Sequence, residues 1–340
     1  MLRGAIIGLG NVALEVHVAG WARRNDVEIV AVTDVARGRR DAAARLLPGA
    51  RWHESSDSLL SSERLDFVDI CTPPSSHVGL IEAALTRGLH VMCEKPLVCS
   101  RDELATVRRL VAATGRVVHT VHNWHHAPII RQASALLEQK AVGQVTRIVW
   151  ETLRTAPAPV RNGAGQNWRL DPVLGGGGIL TDHGWHVFYL LQAWMREAPT
   201  AVSARLETRR HTDAPVEDTA TVRVTFPSGL ADVFLTWAAE SRQNRVALIG
   251  TERQIELDDA TVILKDNGHE QRWECPPALS KGSVHPDWFD PVVDQFVGEV
   301  TGTRPRDGNL AEASLCLLLE ALARESSRQE GRQLAIPAAP

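Results

Sequence analysis

Residues 4–13 read GAIIGLGNVA. A short apolar run leads without a break into Gly8-Leu9-Gly10-Asn11-Val12-Ala13, a G-x-G-x-x-A pattern that opens a helix. Each small residue has a physical task. Gly8 permits a tight turn, Gly10 lets the backbone approach a pyrophosphate, and Ala13 leaves room for close helix–strand packing. The N–H groups at the helix start, including those of Asn11 and Val12, favour phosphate together with the helix dipole. The pattern carries this meaning only between a strand and a helix, which is its context here.

The flanking sequence repeats the alternation. Apolar runs recur at 28–33 (EIVAVT), 66–71 (DFVDIC), 89–93 (LHVMC) and 117–121 (VVHTV), separated by helically spaced stretches at 12–24, 36–47, 77–87 and 101–114. Continuous apolar runs suit strands buried on both faces, and strand–helix alternation implies a parallel sheet with right-handed crossovers. Residues 1–121 therefore read as a Rossmann domain, a doubly wound parallel α/β sheet that binds NAD(P). Gly88 and Gly115 close two of its helices, and Ser100 with Glu103 forms a capping box for another.

Beyond 122 the texture changes. Helices are expected at 128–140 and 179–195, and a strand near 144–154. A Pro-, Gly- and Asn-rich loop fills 155–178. From 199 to 274 the pattern has period two: in TATVRVTF (219–226), Ala220, Val222, Val224 and Phe226 share one face. PSG (227–229) and DNG (266–268) read as hairpin turns, and helices at 288–302 and 309–325 close the chain. Residues 122–340 thus read as an α+β substrate-binding and oligomerisation domain on an open, largely antiparallel sheet of five or more strands.

Composition narrows the function. A net charge of −4 gives no reason to expect nucleic acid or an anionic membrane as partner. There is no apolar run of spanning length and no recognisable signal peptide, so a cytoplasmic protein is expected. Five cysteines without C-x-x-C suggest neither a disulfide framework nor a thiolate zinc site.

Asp34 ends the second strand, where a carboxylate can accept hydrogen bonds from the adenosine ribose. It favours NAD, whereas Arg37 leaves NADP open. In an open α/β sheet, ligands lie outside the carboxyl ends of the strands. Two strand-end loops stand there: Thr72-Pro73-Pro74-Ser75-Ser76-His77 and Cys93-Glu94-Lys95-Pro96. Thr72, Pro73, His77, Glu94 and Lys95 are therefore expected to line the cofactor, with Lys95 near the nicotinamide.

GLGNVA, TPPSSH, EKP and GGGGILTDHGWH, in this order, resemble the glucose–fructose oxidoreductase / inositol dehydrogenase / MocA family along nearly the whole chain. The resemblance implies NAD or NADP as cofactor and sugars, polyols or inositols as substrates. It also implies homodimers or homotetramers formed through the open sheet, and a catalytic group of Lys95, Asp182 and His186.

Asp182 and His186 are four residues apart and share a helix face that Tyr189 continues, whereas His183 is expected to point elsewhere. Acid–base chemistry is favoured over metal binding, although His122, His125 and His126 in VHNWHHAP (121–128) offer further nitrogens. The same stretch matches the family's substrate wall only loosely, through Asn123, Trp124 and His125. The loop 154–169 adds Arg154, Arg161, Asn167, Trp168 and Arg169, with Trp168 suited to a sugar face and the arginines to a phosphate or carboxylate. The expected activity is hydride transfer between a nicotinamide and a secondary alcohol or ketone of a sugar, polyol or inositol. The alternative is a non-catalytic NAD(P)- or sugar-sensing regulator on the same scaffold.

Overall fold

The computed structural model describes residues 1–160, 167–282 and 284–337. Its packing divides into two compact units: residues 1–123 with Val160 and residues 284–314, and the remaining described residues from Trp124 on.

The first unit is built on β1 (Leu2–Ile7), β2 (Val27–Thr33), β3 (Arg51–His53), β4 (Phe67–Ile70), β5 (His90–Cys93) and β6 (Val118–Thr120). All pairings are parallel, in the order β3-β2-β1-β4-β5-β6. This is the doubly wound order that the strand–helix alternation implies, with its switch point between β1 and β4. The crossovers carry α1 (Val18–Ala22), α2 (Arg40–Leu46), α3 (Ser56–Ser62), α4 (His77–Leu85) and α5 (Arg101–Thr114). A π-helical turn, Ala13–His17, precedes α1. Ser100 caps α5 through the Glu103 N–H at 3.2 Å, and Glu103 reaches back to the Cys99 N–H at 2.7 Å. Gly88 and Gly115 take positive φ at the ends of their helices.

The second unit holds α6 (Pro128–Glu138), β7 (Val145–Leu153), α7 (Pro172–Gly175) and α8 (Trp185–Met195), the last preceded by a π-helical turn, Leu180–Gly184. Then come β8 (Ala201–Glu207), β9 (Thr219–Phe226), β10 (Gly229–Thr236), β11 (Gln243–Gly250), β12 (Gln254–Asp258), β13 (Thr261–Asp266) and β14 (His269–Glu274). The two-residue turns fall where PSG and DNG stand; Asn267 and Gly268 both have positive φ, as a type I′ turn requires. The nine-stranded sheet runs β14-β13-β12-β11-β7-β10-β9-β8-β15, with β15 at Leu334–Ala335. It is antiparallel except for the β7–β10 pair. One face is covered by α8 against β7 and by α6 against β12 and β13.

The packing corrects the expected boundary at 121/122. Helix α9 (Pro286–Thr301) and the start of α10 (Gly308–Arg328) return to the first unit. The reason is apolar burial: Phe289, Val292, Val293 and Phe296 join Trp21 and Phe67 in one core. The Phe67 and Phe296 rings lie 5.3 Å apart at 66°, and Trp21 lies 4.9 Å from Phe67. Edge-to-face aromatic contacts of this kind add to the burial itself. Among the described residues, no helix is long and apolar enough to cross a membrane.

Candidate active site

In the first unit, β1 ends at the switch point and the chain turns at Gly8 with φ +93°. A Cβ on Gly8 would lie 2.9 Å from backbone atoms of Cys71 and Thr72, so both conformation and space demand glycine. At Gly10 a Cβ would meet nothing within 4 Å, which leaves the backbone face open to a ligand. Intrahelical bonding starts with the Leu14 N–H on the Gly10 carbonyl at 3.0 Å, so the first turn's N–H groups point out of the helix end. Ala13 is buried, as close packing needs. These residues fit a dinucleotide's phosphates.

Asp34 has a role within the chain itself. Its carboxylate accepts the Leu9 N–H and the Ala36 N–H, each at 2.6 Å, and so pins the glycine turn to the end of β2. Arg37 is exposed and paired with Glu54 at 3.2 Å. Thr72 Oγ1 accepts the Ser76 hydroxyl at 2.7 Å, and Pro73 starts the short turn behind it. His77 has a different task from the one expected. It is fully buried, with Nδ1 2.9 Å from the Pro96 carbonyl and Nε2 2.9 Å from that of Thr72, so it ties the two strand-end loops together rather than facing a cofactor.

Lys95 is half-buried beyond the end of β5. Its backbone N–H donates to Glu94 Oε2 at 3.0 Å, and Glu94 Oε1 lies 3.0 Å from His17 Nε2. His17 Nδ1 lies 2.8 Å from Asp69 Oδ2, which also accepts the Trp21 indole N–H at 2.7 Å. His17 and Asp69 are both wholly buried. Burial alone would lower the imidazole pKa, but Asp69 and Cys71 hold it well above the ordinary value, which favours the charged ring. Burial likewise pushes Glu94 up, yet His17 and Lys95 bring its carboxyl below the usual range. His17, Asp69 and Cys71 are close enough to share an ion. Burial raises the Cys71 thiol, however, and the histidine and aspartate satisfy one another, so the group reads as a hydrogen-bonded charge chain. Sequence reasoning missed it. The signal was present: Asp69 interrupts an otherwise apolar strand, and buried carboxylates need partners.

In the second unit, the glycine run before Asp182 is a steric necessity. A Cβ on Gly177 would lie 1.9 Å from the Arg324 guanidinium, and one on Gly178 1.8 Å from the Glu217 carbonyl oxygen. Glu217 Oε1 accepts the Gly178 and Leu180 N–H groups at 3.0 and 3.2 Å. Arg324 donates to Glu217 at 2.9 Å and to Thr181 Oγ1 at 2.7 Å. A largely buried ion pair thus clamps the backbone that presents the next residues.

Asp182 Oδ2 lies 3.3 Å from His183 Nδ1 and 3.8 Å from Arg169 Nε. His183 therefore lies against Asp182 instead of pointing away. The cause is local: a π-helical turn widens the spiral here. His186 Nδ1 lies 2.9 Å from the Tyr189 hydroxyl, whose oxygen accepts the Trp124 N–H at 3.0 Å. The Trp124 indole stacks on the His186 ring at 4.4 Å and 6°. The aromatic face fixes the imidazole plane and stabilises a positive charge on it. The structure thus brings Trp124, His186 and Tyr189 together. One face of Trp168 carries the Arg169 guanidinium at 4.2 Å. Asn123 is half-buried at a short turn, and Arg161 lies outside the described residues.

Two family models match the chain: "Oxidoreductase family, NAD-binding Rossmann fold" over residues 2–122, and "GFO/IDH/MocA C-terminal domain" over 130–256. The D-glucoside 3-dehydrogenase of Escherichia coli K12 is 32% identical over 189 residues, 55% of this chain and 52% of that protein. The chain thus matches only about half the length of that relative. The D-apiose dehydrogenase of Paraburkholderia graminis is 28% identical over 302 residues, 83% of this chain and 75% of that protein. Among solved structures, GenD2 from gentamicin A biosynthesis in complex with NAD superposes with a TM-score of 0.84 at 24% identity, covering 99% of this chain and 97% of that one. That likeness shows the fold.

Proposed function

The chain belongs to the GFO/IDH/MocA family of NAD-binding oxidoreductases, and from that premise we propose that it is a dehydrogenase or reductase acting on a secondary alcohol or ketone of a sugar-like substrate. The observation that carries the reading is the Gly8–Gly10 turn, open at Gly10, at the switch point of a β3-β2-β1-β4-β5-β6 sheet. Relatives named as dehydrogenases of a D-glucoside and of D-apiose support the substrate class.

Gly8, Gly10, Asn11 and Val12 would hold the pyrophosphate, and Asp34 the ribose. When bound, the nicotinamide supplies the redox chemistry. The protein moves the proton. His186 accepts it from the substrate hydroxyl at Nε2. For that, Nδ1 must carry the ring hydrogen and donate it to Tyr189, a tautomer assigned from the role. The stacked Trp124 favours the imidazolium that results. Asp182 adds negative charge, and Lys95 donates to the developing carbonyl oxygen. Family resemblance names these groups; the Glu94 hold on the Lys95 turn supports the assignment. Nothing in the structure favours the regulatory alternative.

We further propose a homodimer or homotetramer through the open sheet face, and a cytoplasmic setting. The second is supported by Cys71, Cys93 and Cys275, which are thiols and not disulfides.

The test is absorbance at 340 nm with NAD, then NADP, across aldoses, inositols and sugar acids. NADH formation with one class is expected. Lys95→Ala should lower kcat by about 10²–10⁴-fold, the range for losing a positioned proton-transfer group, with NAD affinity within twofold by calorimetry. Near-native turnover of Lys95→Ala removes the lysine from the mechanism.

A further inference from the structure

Arg154 is an unusual arginine. It is 2% exposed, at the end of β7. Nη1 donates to the Leu153 and Gln243 carbonyls at 2.7 and 3.1 Å, and Nη2 reaches Asn244 Oδ1 at 3.3 Å. Nε is buried with no partner. Among the described residues no carboxylate lies within ion-pair distance of this guanidinium.

The antiparallel register pairs Leu153 with Gln243. Arg154 and Arg242 adjoin this last ladder pair on the two strands, and the positive charge of Arg242 acts on Arg154. Arg242 Nε donates to the Ser280 carbonyl at 3.1 Å. Asp259, whose charge acts on both guanidiniums, accepts the Asn244 N–H at 3.0 Å and the Ser280 hydroxyl at 2.6 Å.

This pair belongs to the neighbourhood of Asp182. The Arg154 N–H donates to Thr236 at 2.8 Å. A Cβ on Gly184, in the π-turn that carries Asp182, would lie 3.5 Å from the adjacent Leu235. Burial and the charge of Arg242 press Arg154 down to about 10, while Asp259 and Asp182 pull the other way. Among the described residues, Arg169 Nε at 3.8 Å and His183 Nδ1 at 3.3 Å are groups held against Asp182, and neither Arg154 nor Arg242 is in ion-pair contact with it.

We infer that Arg154 and Arg242 form an anion subsite beside Asp182, and that the substrate is a sugar acid whose carboxylate docks there. A planar carboxylate matches guanidinium geometry. The partnerless Arg154 Nε supplies a buried donor such a group would satisfy. The inference rests on the reading of Asp182 as part of the site.

The experiment pairs acids with their neutral parents: D-glucuronate with D-glucose, D-galacturonate with D-galactose, and glucose 6-phosphate as a phosphate control. NAD reduction is followed for the native enzyme and Arg242→Gln. Calorimetry of D-glucuronate and D-galacturonate on NADH-loaded protein runs in parallel. The acids are expected to exceed their parents at least 10-fold in kcat/KM, and Arg242→Gln should lower the acids' kcat/KM 10- to 100-fold, as losing one charged hydrogen bond does. The neutral sugars should change less than twofold. Equal use of acid and parent, equal loss on both in the variant, or preference for the phosphate overturns the assignment. If no sugar reduces NAD, uronate binding that Arg242→Gln abolishes sustains the anion subsite and retires the dehydrogenase reading. Absence of uronate binding overturns the subsite.

Discussion

His17 holds two carboxylates in a position where burial would otherwise exclude all three charges. Removing one member of such a buried set leaves its partners uncompensated, at about 3–5 kcal/mol. His17→Gln is therefore expected to lose stability on that scale in chemical denaturation, and to loosen the Glu94 contact that holds the Lys95 turn. The pH dependence has a definite sign. The folded pKa of His17 lies above its ordinary 6.5, so its contribution is complete below that pH and is lost as pH rises through the folded value. Glu94, held below 4.5, contributes above that pH and loses its share as pH falls through its folded value. The stability gap between native protein and His17→Gln should be widest between the usual carboxylate range and about pH 6.5, and should narrow as pH rises through the folded value of His17. A gap that widens on the alkaline side would show that His17 is neutral in the folded chain.

At the scale of elements, both functional helices open with a π-helical turn, Ala13–His17 ahead of α1 and Leu180–Gly184 ahead of α8. Such turns cost hydrogen-bond regularity and recur at functional sites. Here one ends in His17 and the other carries Asp182. The second is fixed by the Glu217–Arg324 clamp, so Gly178→Ala forces a methyl into the Glu217 carbonyl. The clamp must shift, and a stability loss of about 2–4 kcal/mol is expected, in the range of strain and a disrupted buried network. Turnover should fall further than NAD affinity, because the glycine loop of the first unit is untouched. A turnover loss no greater than the NAD affinity loss would show that the clamp does not set the site. Much of this was legible beforehand. Apolar runs located five of the six parallel strands, and period-two patterning and turn dipeptides located the hairpins. β3 was missed because RWH, with Arg51 exposed and Trp52 and His53 half-buried, carries no apolar run. The return of α9 to the first core was also missed, since helical periodicity says which face is apolar and not what covers it. At the site, the family resemblance named Lys95, Asp182 and His186, and their catalytic roles stand as a proposal. The His183–Asp182 contact was hidden because a 3.6-residue repeat does not anticipate a π-turn.

For the whole molecule, the nine-stranded sheet poses a packing problem. Helices α6 and α8 cover one face. On the other, Val149 and Leu153 of β7, Leu230 and Phe234 of β10, and Ala247 and Ile249 of β11 are only half-buried. Around them lie charges that answer one another: Asp232 takes Arg147 and Arg223, each at 2.7 Å. A central apolar stripe with a polar, internally paired rim is the anatomy of a protein interface. A partner copy burying about 800 Å² on each side would remove the stripe from water. A single chain has a mass of 37.2 kDa, so native protein should sediment at about twice or four times that value. Phe234→Asp places a charge in the stripe without entering either functional constellation. It should shift the population towards monomer while NAD affinity holds within twofold. A native protein that sediments as a monomer at micromolar concentration would remove the sheet face from the interface. A Phe234→Asp variant that stays oligomeric would place the contact elsewhere on the molecule.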